Sequence, residues 1–404
     1  MPAWPAPERN MGVVASIVGL VLLVLIHEAG HFFGARAVGM TPRKFYLGFG
    51  PPVLKRTRGL VEYGVGALPL GGYVKIPGMN RPSPGDLRRL LDGEQAMQHA
   101  SELEAVDAAV EREDWQDARR LVAQLRPRLG AVRGLDEYAW SLEPDAYWRQ
   151  ATWRRLVAIG AGPGVNLVFA IVLFTTLFLV ATFHATTFVD STQQGSPARA
   201  AGIRHGDHVV AVAGRRVDGK NVVDAIRGSR GAPIRVTVVR DGRRVVLGPL
   251  SARRQQDGIY RIGVVFQERL GPGQSLPAAL GSSFGLVWDV TAGTVTGLAD
   301  TFSGANTHET SSTVGIVRVS SQAWRAGLRE FLEILGLISL ALGVFNLLPV
   351  LPLDGGYITI ALVEKVRGRT FPQSVYIRYA VAGLMLIAVV FYFGLRNDLF
   401  GGGG

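Results

Sequence analysis

A chain of 404 residues carries 43 Lys and Arg against 32 Asp and Glu, a formal net charge of +11, and has no cysteine. Disulfides and thiolate chemistry are thereby excluded, and any zinc must be held by histidine and carboxylate. The basic balance does not indicate a nucleic-acid partner, because no basic run with interleaved aromatics stands out. Instead the hydrophobic residues, 48% of the chain, gather in long uncharged runs. That pattern points to a lipid bilayer, with basic residues flanking the spans near anionic lipid.

In chain order, residues 11–35 form the first expected span, with His27-Glu28-Ala29-Gly30-His31 inside it. A signal peptide cleaved near Ala35-Arg36-Ala37 is the rival reading, but Glu8 and Arg9 nearly cancel and cleavage would discard both histidines. Residues 41–80 read as β structure: 62–68 alternates loosely and 71–76 follows a turn signal. Residues 84–130 are rich in Ala, Leu, Glu and Arg, with Asp114 placed as a cap, and suggest a helical hairpin within a cytoplasmic insert over 81–150. The uncharged run 156–183 is the second span. Residues 187–266 alternate short strands with Gly-rich turns, and Asp241-Gly242 marks a hairpin. The stretch 275–298 carries Asp289 and many Gly, Ser and Thr, so 275–330 reads as an interfacial helix and linker. The third span is expected over 334–353, within a segment 331–356, and the fourth over 379–395. The expected fold is thus a polytopic α-helical membrane protein of about four spans, with two β regions.

Orientation follows from the basic residues at span ends. Arg36, Arg43 and Lys44 follow span one, and Arg149, Arg154 and Arg155 precede span two. Lys365, Arg367, Arg369 and Arg378 lie between spans three and four. These loops should be cytoplasmic and the 184–333 region outside.

The chemistry centres on HExxH. On a helix, positions i and i+4 share a face, so both imidazoles can address one ion, and Glu28 beside them can take a proton from a water. Ionisable groups inside an apolar span are costly, which favours a function over a mere packing pair of hydrogen-bonded histidines. A catalytic zinc needs a third protein ligand, and Asp354 is the best candidate. It follows Pro349 and Pro352 and precedes Gly355-Gly356, a composition that breaks a helix where backbone can line a cavity. Asn346 could hold a substrate carbonyl or make an interhelical hydrogen bond. Asn166, in Gly162-Pro163-Gly164-Val165-Asn166, could line the cavity or serve packing.

Together these residues resemble the site-2 protease family of intramembrane zinc metalloproteases, most nearly its bacterial regulator of sigma-E protease type. The motifs that carry the resemblance span most of the chain. They are HEAGH at 27–31, Gly48-Phe49-Gly50-Pro51, Pro69-Leu70-Gly71-Gly72-Tyr73-Val74-Lys75, Ala161-Gly162-Pro163 through Asn166, Asn346-Leu347-Leu348-Pro349, and Leu353-Asp354-Gly355-Gly356. The resemblance implies Zn2+ held by His27, His31 and Asp354, with Glu28 as catalytic base. It implies a membrane-associated β-hairpin over 44–76 that pairs with unwound substrate, placing Gly71, Gly72 and Tyr73 beside Asn346 and Asn166 as substrate contacts. It further implies a PDZ-like domain around 196–207, extracytoplasmic in a bacterial inner membrane, that filters single-pass substrates by size. His205 and His208 read there as surface residues. The implied role is regulated proteolysis of an anti-sigma factor or clearance of remnant signal peptides. A PDZ-bearing scaffold without activity and a zinc transporter are the alternatives. The insert at 84–145 and the Gly401–Gly404 tail depart from the minimal family pattern.

Overall fold

The computed structural model describes residues 7–219, 221–255, 259–302 and 313–400. The Gly401–Gly404 tail and positions 303–312 of the expected linker lie outside the described residues. The chain divides into two compact units, residues 175–282 forming one and the remainder the other.

The larger unit begins with α1 (Pro7–Ala37), whose apolar run admits no interior Pro. Strands β1 (Lys44–Arg58) and β2 (Val61–Lys75) follow. Both are long and bent, so Tyr46 pairs with Gly64 on one side and with Tyr73 on the other. The two tyrosine rings stack at 5.2 Å. Gly71 makes the sharp turn this needs, at φ +90°, where a side chain would also meet the Phe49 ring.

The insert holds α2 (Gly93–Gln98), α3 (Ala100–Glu111), α4 (Trp115–Leu129) and α5 (Leu135–Ser141). Asp92 and Asp114 cap α2 and α4 by accepting from the backbone N–H of Gln95 and Asp117, at 2.8 and 3.0 Å. Leu103, Val106, Val122, Leu125 and Leu129 close a separate apolar core against Leu135 and Tyr138. Each such side chain contributes about 1.5–3 kcal/mol on burial. The insert is fastened to the strands by Arg43, whose Nη2 meets Asp145 Oδ1 at 2.9 Å.

Helix α6 (Thr152–Val180) leads into the second unit. There β3 (Ala181–Thr192), α7 (Pro197–Ala200), β4 (His208–Val212), β5 (Arg215–Arg216), α8 (Val222–Arg227), β6 (Pro233–Arg240), β7 (Arg243–Ser251), β8 (Arg253–Arg254), β9 (Tyr260–Arg261) and β10 (Val264–Pro272) succeed one another. The main sheet runs in the order β10-β3-β4-β6-β7, with β5 on β4. Asp241-Gly242 turns β6 into β7, Arg240 facing Arg243. Val209, Val236, Val238, Ile203 and Val222 form its core.

The chain returns to the larger unit through α9 (Leu276–Phe302), then α10 (Thr313–Ala326), α11 (Leu328–Asn346), α12 (Asp354–Arg367) and α13 (Gln373–Phe400). Among the described residues, α1 from Met11 and α6 are long and apolar enough to cross a membrane, and Gln373–Val389 is a shorter apolar stretch. The expected third span corrects here. The uncharged run 334–353 is not one helix, because α11 ends at Asn346 and α12 begins at Asp354. Pro349 and Pro352 supply no N–H to a continuing helix. Gly355 lets the intervening turn fold back, since a side chain there would strike the carbonyls of Leu347 and Leu348. Asn346 is therefore the last residue of α11 and not an interior position of a longer span.

Candidate metal centre and active site

Helices α1 and α6 pack closely and antiparallel through small residues. A Cβ on Gly30 would lie 2.5 Å from the Ala161 carbonyl oxygen, and one on Gly34 would strike the Ala161 side chain. This approach brings His31 against Gly162, where a side chain would occupy the space of the imidazole. The Nδ1 of His31 lies 3.1 Å from the Ala158 carbonyl oxygen. A proton held there leaves the lone pair of Nε2 facing inward.

Asp354 is the first residue of α12, where the helix dipole favours a carboxylate. The turn before it is pinned by α13: Tyr379 Oη donates to the Pro349 carbonyl, and Gly383 leaves room for that of Leu351. At the far end of α12, buried Glu364 accepts from Arg155 Nη2 at 2.7 Å, from the Phe371 N–H at 2.7 Å and from Tyr376 Oη at 3.1 Å.

These constraints bring His27, His31 and Asp354 together. The two Nε2 atoms lie 3.2 Å apart, and each lies 3.2 Å from Asp354 Oδ2. Bonds of about 2.0–2.1 Å to a tetrahedral zinc imply ligand–ligand edges of roughly 3.3–3.4 Å. The triangle fits one face of that tetrahedron. Asp354 Oδ2 is buried and receives no hydrogen bond of its own, as expected of an oxygen awaiting a cation. Two imidazoles and one carboxylate leave a fourth position for water or substrate. Glu28 adjoins the triangle on α1, next to His27. Gly72 backs onto the Glu28 side chain, which a Cβ would crowd at 3.0 Å.

The family model of peptidase family M50 matches residues 15–390. The chain belongs to peptidase family M50. This is the site-2 protease family, and its members are membrane-associated. A Lactococcus lactis protein provisionally named a zinc metalloprotease is 25% identical, over 96% of this chain and 98% of its own length. The zinc metalloprotease Rip1 of Mycobacterium tuberculosis is 27% identical over 88% of this chain and 86% of its own. A Mesorhizobium japonicum protein, also provisionally named a zinc metalloprotease, is 29% identical over 95% of this chain and 96% of its own.

Other expected site residues fall around the M50 centre in different ways. Gly72 and Tyr73 lie on the strand that passes Glu28, and Gly71 turns into it. Asn166 is fully buried on α6, with neither amide atom hydrogen-bonded. Asn346 donates from Nδ2 to the Leu342 carbonyl of its own helix at 2.9 Å. Sequence reasoning missed the Ala158 carbonyl and the Arg155–Glu364 pair. Only the spacing Gly30-x-x-x-Gly34 could have signalled the close helix contact beside the histidines.

Proposed function

We propose that the chain is an intramembrane zinc metalloprotease that hydrolyses peptide bonds within or near the transmembrane segment of single-pass substrates. The observation that carries this reading is the 3.2 Å triangle of His27, His31 and Asp354 with Glu28 at its side. When bound, zinc supplies Lewis acidity to the scissile carbonyl and to the attacking water. Glu28 takes the proton of that water and returns it to the leaving amine. Gly72 lets β2 pass close beside the Glu28 side chain, and β2 aligns an unwound substrate as an added strand, which tolerates varied sequences. Asn166, with its unpaired amide, is the group best suited to receive the substrate backbone.

The chain lies, on this reading, in a bacterial inner membrane as a multi-pass protein of about four spans, with α9 interfacial. Basic residues at the ends of α1 and α6 support placing the centre toward the cytoplasm. The smaller unit is an extracytoplasmic PDZ-like domain that admits substrates already trimmed outside. Its six-stranded antiparallel sheet and two short helices support this assignment. The family role is regulated proteolysis of an anti-sigma factor or removal of remnant signal peptides.

A scaffold or a zinc transporter would tolerate loss of Glu28, and a protease would not. Purified in detergent, wild type should bind stoichiometric zinc and cut a model transmembrane segment. Glu28→Gln should keep zinc and lose cleavage by roughly a thousandfold or more, and Asp354→Ala should lose the metal. Cleavage by Glu28→Gln, or wild type without metal, would sink the reading.

A further inference from the structure

Arg43 comes just before β1 and ties three parts of the chain together. Its N–H donates to the Lys75 carbonyl at 2.7 Å, and its carbonyl accepts from the Glu62 N–H at 2.9 Å. The two arms of β2 are thereby joined at one residue. The Arg43 side chain is only 8% exposed and reaches Asp145, near the end of the insert. Nη2 and Nη1 meet Asp145 Oδ1 and Oδ2 at 2.9 and 3.1 Å, and the Thr41 N–H donates to Oδ2 at 3.1 Å. A two-pronged pair of this kind fixes orientation as well as distance.

The next residues of the insert hold the other end of the same sheet. Tyr147 and Trp148 donate their N–H groups to the carbonyls of Pro77 and Gly78, at 2.8 and 3.1 Å. The short stretch 145–148 thus grips the strands where they begin and where they end. It also leads directly into α6, whose Ala158 and Gly162 seat His31. What the grip positions is the segment 72–75 of β2, which pairs with 44–47. Gly72 lies three residues from Lys75, roughly 10 Å along a strand. A Cβ on Gly72 would lie 3.0 Å from Glu28 Cγ and 3.5 Å from Val24 Cγ1. Among the described residues no second strand pairs with 72–75. The Phe32 ring also packs on Phe45 and Tyr63, at 5.4 and 5.9 Å between centroids. Apolar contact is non-directional and permits sliding, whereas the paired charges do not.

We propose that Asp145 is a positioning residue for hydrolysis. Acting through Arg43, it fixes 72–75 beside Glu28 and so sets which peptide bond of an added substrate strand meets the metal-binding side chains. The inference rests on the protease reading and gives the end of the insert a part in choosing the scissile bond.

The test uses the zinc-loaded full chain in detergent and a transmembrane substrate whose cleavage site is mapped by mass spectrometry. Asp145→Asn removes the counter-charge of Arg43 and keeps the shape of the side chain. Arg43→Met combined with Asp145→Asn removes both charges, so no buried charge is stranded and stability is recovered. Both proteins should bind zinc as wild type does, because His27, His31 and Asp354 lie on α1 and α12. Both should cleave with a KM raised roughly tenfold and a smaller change in kcat, and their products should spread from one peptide bond to its neighbours. Amide exchange at 72–77 should quicken at least roughly tenfold, while that at 24–31 holds. A purely structural role gives another pattern. Partial unfolding lowers zinc content and kcat together, leaves the cut at one bond, and is repaired in the double variant. That pattern, or a wild-type KM and a single cut in both variants, overturns the inference and leaves the protease reading standing. Loss of zinc by both variants overturns it too, since residue 145 then supports the fold as a whole. Wild type that cuts nothing overturns both readings.

Discussion

Gly162 has no side chain, and His31 occupies the space that one would need. The imidazole is held from behind by the Ala158 carbonyl, so it cannot retreat along its own plane without losing that bond. Gly162→Ala is therefore expected to push Nε2 away from the other two ligands. Misplacement of a reacting group by about 1 Å costs on the order of a hundredfold in rate. Bound zinc, measured by elemental analysis, and cleavage should fall together. Gly164→Ala is the control: nothing lies within 4 Å of a Cβ there, so a methyl group should change neither quantity. Equal behaviour of the two variants would mean that the contact with His31 does not set the ligand position.

At the scale of elements, α12 is a lever with Asp354 at one end and Glu364 at the other. The Glu364 carboxylate binds Arg155 of α6 in a pair whose side chains are 5% and 3% exposed. Removing one partner of a buried pair strands the other charge, at a cost of about 3–5 kcal/mol. Glu364→Gln should shorten the half-life of the protein in detergent and weaken zinc retention, although residue 364 touches no ligand. A second buried carboxylate, Asp207 in the smaller unit, permits a prediction with pH. Burial alone would raise its pKa, but the Arg240 guanidinium, at 2.7 and 2.8 Å, and the Arg204 amide hold it below the ordinary aspartate range. The stabilisation is then complete above the unfolded pKa of about 3.9 and is lost as pH falls through the depressed folded value. Thermal unfolding of the smaller unit in the full chain should show a gap between wild type and Asp207→Asn that is wide at neutral pH and closes in acid. A gap independent of pH would assign the effect to packing.

The sequence made some of these elements readable and hid others for a physical reason. His27, Glu28 and His31 are close in sequence and share a helical face, so their period alone places them together. Asp354 was legible through local chemistry, two prolines and two glycines that a helix does not accept. The end of α11 at Asn346 was not, because hydropathy reads the turn at 347–353 as more span. Glu364 and Arg155 meet across 209 positions, and Gly72 meets the Glu28 side chain only because β2 folds back on α1. Neither contact has a period, a motif or a composition that marks it.

For the whole molecule, the division into two units makes the proposed size filter separable from the catalytic centre. The smaller unit is closed at its base by β3 and β10, with Ala181 opposite Pro272 and Ala185 opposite Glu268. The chain therefore enters and leaves that unit on adjacent strands. Replacing 186–267 by a short Asn-Gly turn joins two positions that are already paired, and type I′ turns suit such a junction. None of His27, Glu28, His31 or Asp354 lies in the removed segment, so the shortened protein should still bind zinc and cut a substrate whose outer portion is short. What should change is selectivity. Wild type is expected to cleave a substrate with a folded outer domain at least roughly tenfold more slowly than the trimmed one, and the shortened protein should treat them alike. Cleavage rates of both substrates by both proteins decide the matter. If the shortened protein retains the discrimination, the filter belongs to the larger unit. If it binds zinc but cuts neither substrate, the domain contributes to catalysis itself and is not a gate.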